Sequence, residues 1–135
     1  METFENNSIF PKGEKAPSEY FSGGTAWVQI LKPNTDELNC QIANVVFETG
    51  CRNNWHSHRG GQILIVTSGT GYYQEKGKPI QILNSGDVVN ILPDVVHWHG
   101  ASRDNEFTHI AINPNTQNGI VEWMKPVTDE EYKNL

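Results

Sequence analysis

Short apolar runs separated by turn residues cover most of the chain after residue 24. Glycine, proline, asparagine and aspartate stand between the runs, and no helical periodicity intervenes. The predicted strands are Thr25–Leu31, Cys40–Glu48, Gln62–Thr67, Gly71–Glu75, Ile80–Leu83, Asp87–Leu92, Val95–His99 and Glu106–Ile112, with a turn at Ser68-Gly69. Many short strands at this spacing predict an all-β sandwich or barrel. Some runs are apolar on both faces, which indicates an outer face covered by another sheet or subunit.

The two ends of the chain differ from this pattern. Residues 1–24 are polar and contain several prolines and glycines, so they predict an extended N-terminal arm. Residues 25–125 carry the predicted barrel. In the tail, residues 126–135, Thr128 and Glu131 have the spacing of a helix capping box, which predicts a short C-terminal helix.

Composition narrows the function classes. A chain of 135 residues forms one domain, and 10 basic against 16 acidic residues give a net charge of -6. This balance argues against a nucleic-acid or membrane partner. The first twenty residues lack the apolar core of a signal peptide, and we expect a cytoplasmic location. Cys40 and Cys51 match no metal or redox spacing, so we expect free thiols, with one disulfide across a hairpin as the alternative.

All five histidines of the chain lie between residues 56 and 109. Residues two apart on a strand point to the same side, so His56 and His58 can reach one point, as can His97 and His99. Two such strands facing each other inside a barrel would bring several imidazoles to one metal ion. The histidine spacing therefore predicts a buried metal centre.

Continuing the alternation extends this site. Gln62 and Leu64 share the inward side with His56 and His58, whereas His109 shares a strand face with Asn113. Three imidazoles and one amide oxygen would leave two open positions on an octahedral ion, as expected of a catalytic or substrate-binding metal. Neutral nitrogen and oxygen ligands favour one Mn or Fe ion per chain, with Ni or Zn as alternatives.

These residues resemble a known family, the cupins. The first cupin motif is matched at every spacing by Gly50-x5-His56-x-His58-x3-Gln62-x6-Gly69, with Gln62 where the motif usually has glutamate. The second motif is matched in the separation of Gly86 and His97, although Pro93 comes one position late and Ala101 replaces an asparagine. The resemblance implies a double-stranded β-helix, the jelly-roll barrel of cupins.

A narrower resemblance is to small bacterial cupins that include manganese-dependent hydroxynitrile lyases and relatives of carboxymuconolactone decarboxylases. It is carried by the runs Trp55-His56-Ser57-His58, Gly61–Thr67, Gly86–Val89, His97-Trp98-His99-Gly100 and Thr108–Ile112. The resemblance implies metal ligands at His56, His58, Gln62 and His97, pocket histidines at His99 and His109, and pocket positions at Ala43 and Val45. Asn113 stands where these lyases can carry glutamine.

Gln62 has a physical consequence for such a centre. An amide ligand, unlike a carboxylate, leaves the full dipositive charge on the ion and makes it a stronger Lewis acid. His109 or His99 is suited to move a proton on or off a substrate hydroxyl. We therefore expect a metal-dependent, lyase-like enzyme that acts on a small oxygen-bearing substrate.

Two rival functions remain open at this point. One is a cupin that binds a small molecule without catalysis, and the other is an Fe-dependent dioxygenase. In each case the expected partner is a small molecule, and we expect the chain to form a homodimer or homotetramer.

Overall fold

Antiparallel β-strands make up most of the regular secondary structure, as the sequence predicts. The computed structural model describes residues 9–135, in which twelve strands form one curled sheet, with two short 3-10 turns and one α-helix. The strands are β1 (Glu14–Lys15), β2 (Phe21–Ser22), β3 (Ala26–Lys32), β4 (Gln41–Phe47), β5 (Arg52–Asn53), β6 (His56–Ser57), β7 (Gln62–Glu75), β8 (Gln81–Asn84), β9 (Val88–Ile91), β10 (His97–Ala101), β11 (Phe107–Asn113) and β12 (Glu122–Trp123), and the helix is α1 (Asp129–Tyr132).

Strands β4 and β11 pair along their whole length and line the interior of the barrel. Their register runs from Phe47 opposite Phe107 to Gln41 opposite Asn113. Alternation sends one set of side chains from both strands into the barrel and the other set outward. The inward set forms a buried apolar cluster at one end, which includes Phe47 and Phe107, and the wall of a cavity at the other.

Strand β7 continues through the Ser68-Gly69 position, so the predicted turn there is wrong. Its first part pairs with β11 and its second part pairs with β10, so one strand passes from one half of the barrel to the other. Gly69 has φ +81°, and a Cβ there would lie 1.9 Å from the Glu106 carbonyl oxygen. Glycine thus allows a sharp bend without a chain reversal.

Both ends of the described chain are attached to the barrel. β1 pairs with β3, and β2 pairs with β5, so part of the predicted N-terminal arm joins the sheet. Residues 1–8 of that arm lie outside the described residues. The capping box is confirmed, since Glu131 N donates to Thr128 Oγ1 at 3.0 Å and Thr128 N donates to Glu131 Oε1 at 2.9 Å.

The tail is fixed to the barrel by polar contacts from buried groups. Tyr132 donates its hydroxyl to the Ala101 carbonyl at 2.7 Å, and buried Arg52 donates to the Val127 carbonyl at 2.8 Å.

Cys40 and Cys51 are both free thiols. Between residues 9 and 135, no helix has the length and apolar character needed to cross a membrane.

Candidate metal centre and substrate cavity

Three histidine rings meet inside the barrel, carried by the loop and short strand around β6 and by β10. His56 lies opposite His97 in the antiparallel pairing of these strands, and their ring centroids are 4.2 Å apart. The His58 ring lies 5.0 Å from that of His56 and 5.4 Å from that of His97. The three residues are almost completely buried.

Backbone carbonyls hold the Nδ1 side of each ring. The three contacts are His56 Nδ1 to Asn54 O at 2.7 Å, His58 Nδ1 to Ile120 O at 2.6 Å and His97 Nδ1 to Val95 O at 2.9 Å. A carbonyl only accepts, so in each neutral ring Nδ1 carries the proton and Nε2 has a free lone pair. Metal-binding histidines are commonly oriented in this way by their second nitrogen.

Gln62 adds an oxygen to this cluster. Its Nε2 donates to Asn113 Oδ1 at 2.9 Å, and its Oε1 takes no part in that hydrogen bond. Gln62 Oε1, His58 Nε2 and His97 Nε2 are buried and have no hydrogen-bond partner among residues 9–135. Unpaired buried acceptors of nitrogen and oxygen type fit a divalent first-row transition ion.

His99 enlarges the histidine cluster but differs from it chemically. Ligand atoms of His56, His97 and His99 all lie within 4.8 Å of one another, so these three histidines are positioned to bind a metal ion. Asn53 Oδ1 accepts from the backbone N–H of His99 at 2.9 Å, so its Nδ2 faces His99 Nε2 at 3.2 Å and donates to it. Neutral His99 therefore carries its proton on Nδ1 and presents a donor, which favours His58 over His99 as the third imidazole ligand.

His109 completes the group from the neighbouring strand β11. Its ring lies 4.9 Å from the His99 ring and 5.7 Å from the Phe47 ring. It is fully buried, and neither ring nitrogen has a partner among the described residues. A histidine in this state is available to a bound small molecule.

Burial keeps all five imidazoles neutral. It lowers the pKa of His97 and of His109 to about 4, and the pKa of His58 below its usual value. The pKa values of His56 and His99 fall well below the usual range, through burial first and neighbouring imidazoles second. Neutral imidazole is the form that binds metals and accepts protons.

An uncharged cavity of about 170 Å³ opens beside these side chains. Its described wall contains no lysine, arginine, aspartate or glutamate. Ala43, Val45 and Asn113 form part of this wall, whereas Leu64 is completely buried in the apolar core and does not. The ligating and catalytic roles assigned from the sequence remain predictions, although the structure brings His56, His58, Gln62, His99 and His109 to this single cavity.

Some wall residues were missed by the sequence reasoning. Gln41 shares a strand face with Ala43 and Val45, and the alternation that places those two residues would also have placed it. Phe21 and Trp123 come from distant strands, and no sequence signal places them there. Trp123 stacks on the Tyr20 ring at 4.5 Å and lies 4.9 Å from the His56 ring, so it closes the cavity beside the histidines.

Comparisons with known proteins agree with this fold. The chain is 40% identical over 119 residues to (R)-mandelonitrile lyase of Granulicella tundricola, which covers 88% of this chain and 90% of that protein. A solved cupin-like protein from Thermotoga maritima shares 52% identity, covers 94% of this chain and 96% of its own, and superposes with a TM-score of 0.91. A cupin-2 domain protein of Rhodospirillum rubrum is 17% identical, covers 97% of this chain and 86% of its own, with a TM-score of 0.63, and so supports the fold alone.

The remaining comparison concerns the family itself. The model that describes the cupin domain matches residues 43–113, which span β4 to β11 and contain every histidine of the chain. The curled antiparallel barrel is thus a shared architecture, and the protein belongs to the cupin domain family.

Proposed function

We propose that this protein is a metal-dependent lyase that cleaves, or in reverse forms, a carbon–carbon bond of a small neutral hydroxynitrile. The observation that carries the proposal is His109, a neutral buried base with both ring nitrogens unpaired among the described residues, in the cavity that His56, His58 and Gln62 also line. The relationship to a protein named (R)-mandelonitrile lyase supports this reaction class.

The proposed ligands are His56, His58, His97 and the Oε1 atom of Gln62. The ring centroids of the three histidines lie 4.2, 5.0 and 5.4 Å apart, and nitrogen and oxygen donors of this kind suit Mn or Fe. When bound, such an ion supplies a positive charge that stabilises negative charge developing on the substrate oxygen. The amide of Gln62 leaves that charge undiminished.

The cavity supports a small, neutral and mostly apolar substrate. Its volume of about 170 Å³ is close to that of a cavity known to hold one benzene ring, about 150 Å³. Phe21, Val28 and Trp123 offer apolar contacts to a ring, whereas a carboxylate would find no cationic side chain in the described wall. An uncharged hydroxynitrile with one ring matches these walls.

We assign proton transfer to His109 and hydrogen bonding to the nitrile to His99. A ring nitrogen of His109 takes the substrate hydroxyl proton, and the electron pair of that O–H bond becomes the second bond of the carbonyl. The bond to the nitrile carbon breaks and its pair leaves with cyanide, to which His109 returns the proton. The Nδ1–H of His99 donates a hydrogen bond to the nitrile. The products are an aldehyde or ketone and hydrogen cyanide.

The test is cleavage of mandelonitrile by the metal-loaded protein, with aldehyde and cyanide both quantified above the enzyme-free rate. In His109→Gln we expect a rate lower by about 10²–10⁴-fold with bound metal unchanged. Thr108→Val is the matched control, because Thr108 precedes His109 on β11 and does not line the cavity; the activity of this variant should be retained. A ligand that raises the melting temperature without turnover would refute catalysis and favour a binding protein.

We also propose that the protein acts in a reducing compartment such as the cytoplasm. Cys40 and Cys51 are unpaired, which is the usual state of thiols there.

A further inference from the structure

Three amide side chains form a hydrogen-bonded chain that ends at the proposed metal centre. Gln62 Nε2 donates to Asn113 Oδ1 at 2.9 Å, and Asn113 Nδ2 donates to Gln41 Oε1 at 3.1 Å. We infer that Asn113, supported by Gln41, is a positioning residue that turns the oxygen of Gln62 toward the ion. This inference rests on the metal centre proposed above. We call Gln41, Asn113 and Gln62 the amide relay.

Orientation matters here because the residue is a glutamine. The two ends of an amide have nearly the same shape, but only the oxygen offers a lone pair to a cation, whereas the NH₂ group only donates. A glutamate has two equivalent oxygens and would ligate in either orientation. A cupin with glutamine at position 62 therefore requires a device that a carboxylate would make unnecessary.

The relay provides such a device, because each amide accepts at one end and donates at the other. Asn113 Oδ1 is occupied as an acceptor by Gln62, and its Nδ2 is held by Gln41, which is the residue directly opposite it in the β4–β11 register. Gln62 and Asn113 are more than nine-tenths buried, so water does not replace these contacts freely. Strand pairing thus holds Gln41 beside Asn113 and keeps the chain of amides connected.

The direction observed is unfavourable unless a cation is bound. Gln62 and His58 line the same cavity. Both Gln62 Oε1 and His58 Nε2 are acceptors without a partner among residues 9–135. If all three amides were reversed, their mutual hydrogen bonds would be kept and Gln62 would present a donor NH₂ to the cavity that His58 also lines. Two unpaired buried acceptors on the wall of one cavity indicate a cation that both could bind.

The test is a double-mutant cycle read by the Mn²⁺ dissociation constant, measured by titration calorimetry on chelator-stripped protein. Asn113→Leu should weaken Mn²⁺ binding by about 10–100-fold when position 62 is glutamine. In the Gln62→Glu background the same substitution should change the constant by less than about threefold, because a carboxylate needs no orientation. A merely structural role would weaken binding equally in both backgrounds, and that result would overturn the inference.

Two further variants guard against a folding defect. Asn113→Asp still accepts from Gln62 Nε2, so it should bind Mn²⁺ at least as tightly as the unmodified protein. If it instead loses affinity as Asn113→Leu does, the relay is wrong. Should Asn113→Leu fail to fold, Gln41→Leu enters the same cycle, with a smaller loss expected only in the glutamine background.

The outcomes also separate this inference from the proposed function. Failure of the unmodified protein to bind Mn²⁺ would overturn both. Normal binding and mandelonitrile cleavage, with equal losses in the two backgrounds, would overturn the relay alone.

Discussion

Removing the metal should destabilise the fold by an amount that follows from three buried atoms. His58 Nε2, His97 Nε2 and Gln62 Oε1 are buried acceptors without a partner in the described part of the chain. Each such group costs about 1–3 kcal/mol when unpaired, so the metal-free protein carries roughly 3–9 kcal/mol of destabilisation that an ion relieves. Metal binding to the folded protein should therefore raise its free energy of unfolding.

The size of the observable shift depends on ion concentration. At a free ion concentration 100 times the dissociation constant, the free energy of unfolding rises by about 2.7 kcal/mol. For a domain of this length, that corresponds to a rise in melting temperature of roughly 10 °C. Thermal unfolding followed by circular dichroism, on chelator-treated protein with and without Mn²⁺, measures the shift.

The controls decide whether the shift belongs to this site. Mg²⁺ has the same charge but prefers oxygen ligands, so it should leave the melting temperature nearly unchanged. In His97→Ala the Mn²⁺-dependent rise should be largely lost. Equal shifts with Mg²⁺ and Mn²⁺, or none with Mn, Fe, Ni or Zn, would refute the reasoning from unpaired acceptors.

Three other predictions test the structure outside the metal centre. Arg52→Lys should lower the free energy of unfolding by about 1.5–3 kcal/mol in denaturant titrations. The reason is that a single ammonium cannot keep the paired contacts of the guanidinium, which include the Val127 carbonyl. A change near zero would contradict this anchoring of the tail. Gly100→Ala should cost about 1–3 kcal/mol in the same assay, since a Cβ there would lie 2.5 Å from the Arg52 Cα, and a neutral result would show that β5 can move aside. Burial raises the pKa of the Cys51 thiol to about 12, so a thiol reagent should modify Cys40 in the native protein and Cys51 only after unfolding; equal native rates would be inconsistent with that burial.

The alternation of side chains along strands was enough to predict much of the site from the sequence alone. It put Gln62 on the side of His56, and Asn113 on the side of His109, as the cavity wall shows. The rule needs only local geometry, because successive residues of a strand point to opposite faces. His58 lies beyond the end of β6, yet its ring still reaches the cluster.

Contacts between distant segments could not be predicted in this way. Asn53 meets the His99 ring across 46 positions, and Ile120 meets His58 across 62 positions. No periodicity relates residues so far apart, because tertiary packing alone brings them together. The chemical distinction between His99 as a donor and His58 as an acceptor therefore required the folded structure.

The error at Ser68-Gly69 has a different origin. A serine–glycine pair signals backbone of positive φ, which occurs both in turns and in sharply bent strands. The local signal was correct, but whether the chain reverses depends on which strands lie alongside it. Here β11 and β10 both pair with β7, and the chain continues.

Because β7 continues through that bend, its length is a constraint on any redesign of the protein. Adding or deleting one residue between Gln62 and Glu75 would reverse the facing of every side chain on one side of the change. It would also shift Leu64 against Ala111 on β11, or Tyr73 against His99 on β10. The turn at Gly77, where a Cβ would meet nothing within 4 Å, imposes no such constraint. Insertions for tags or loops belong at that turn, whereas β7 must keep its residue count.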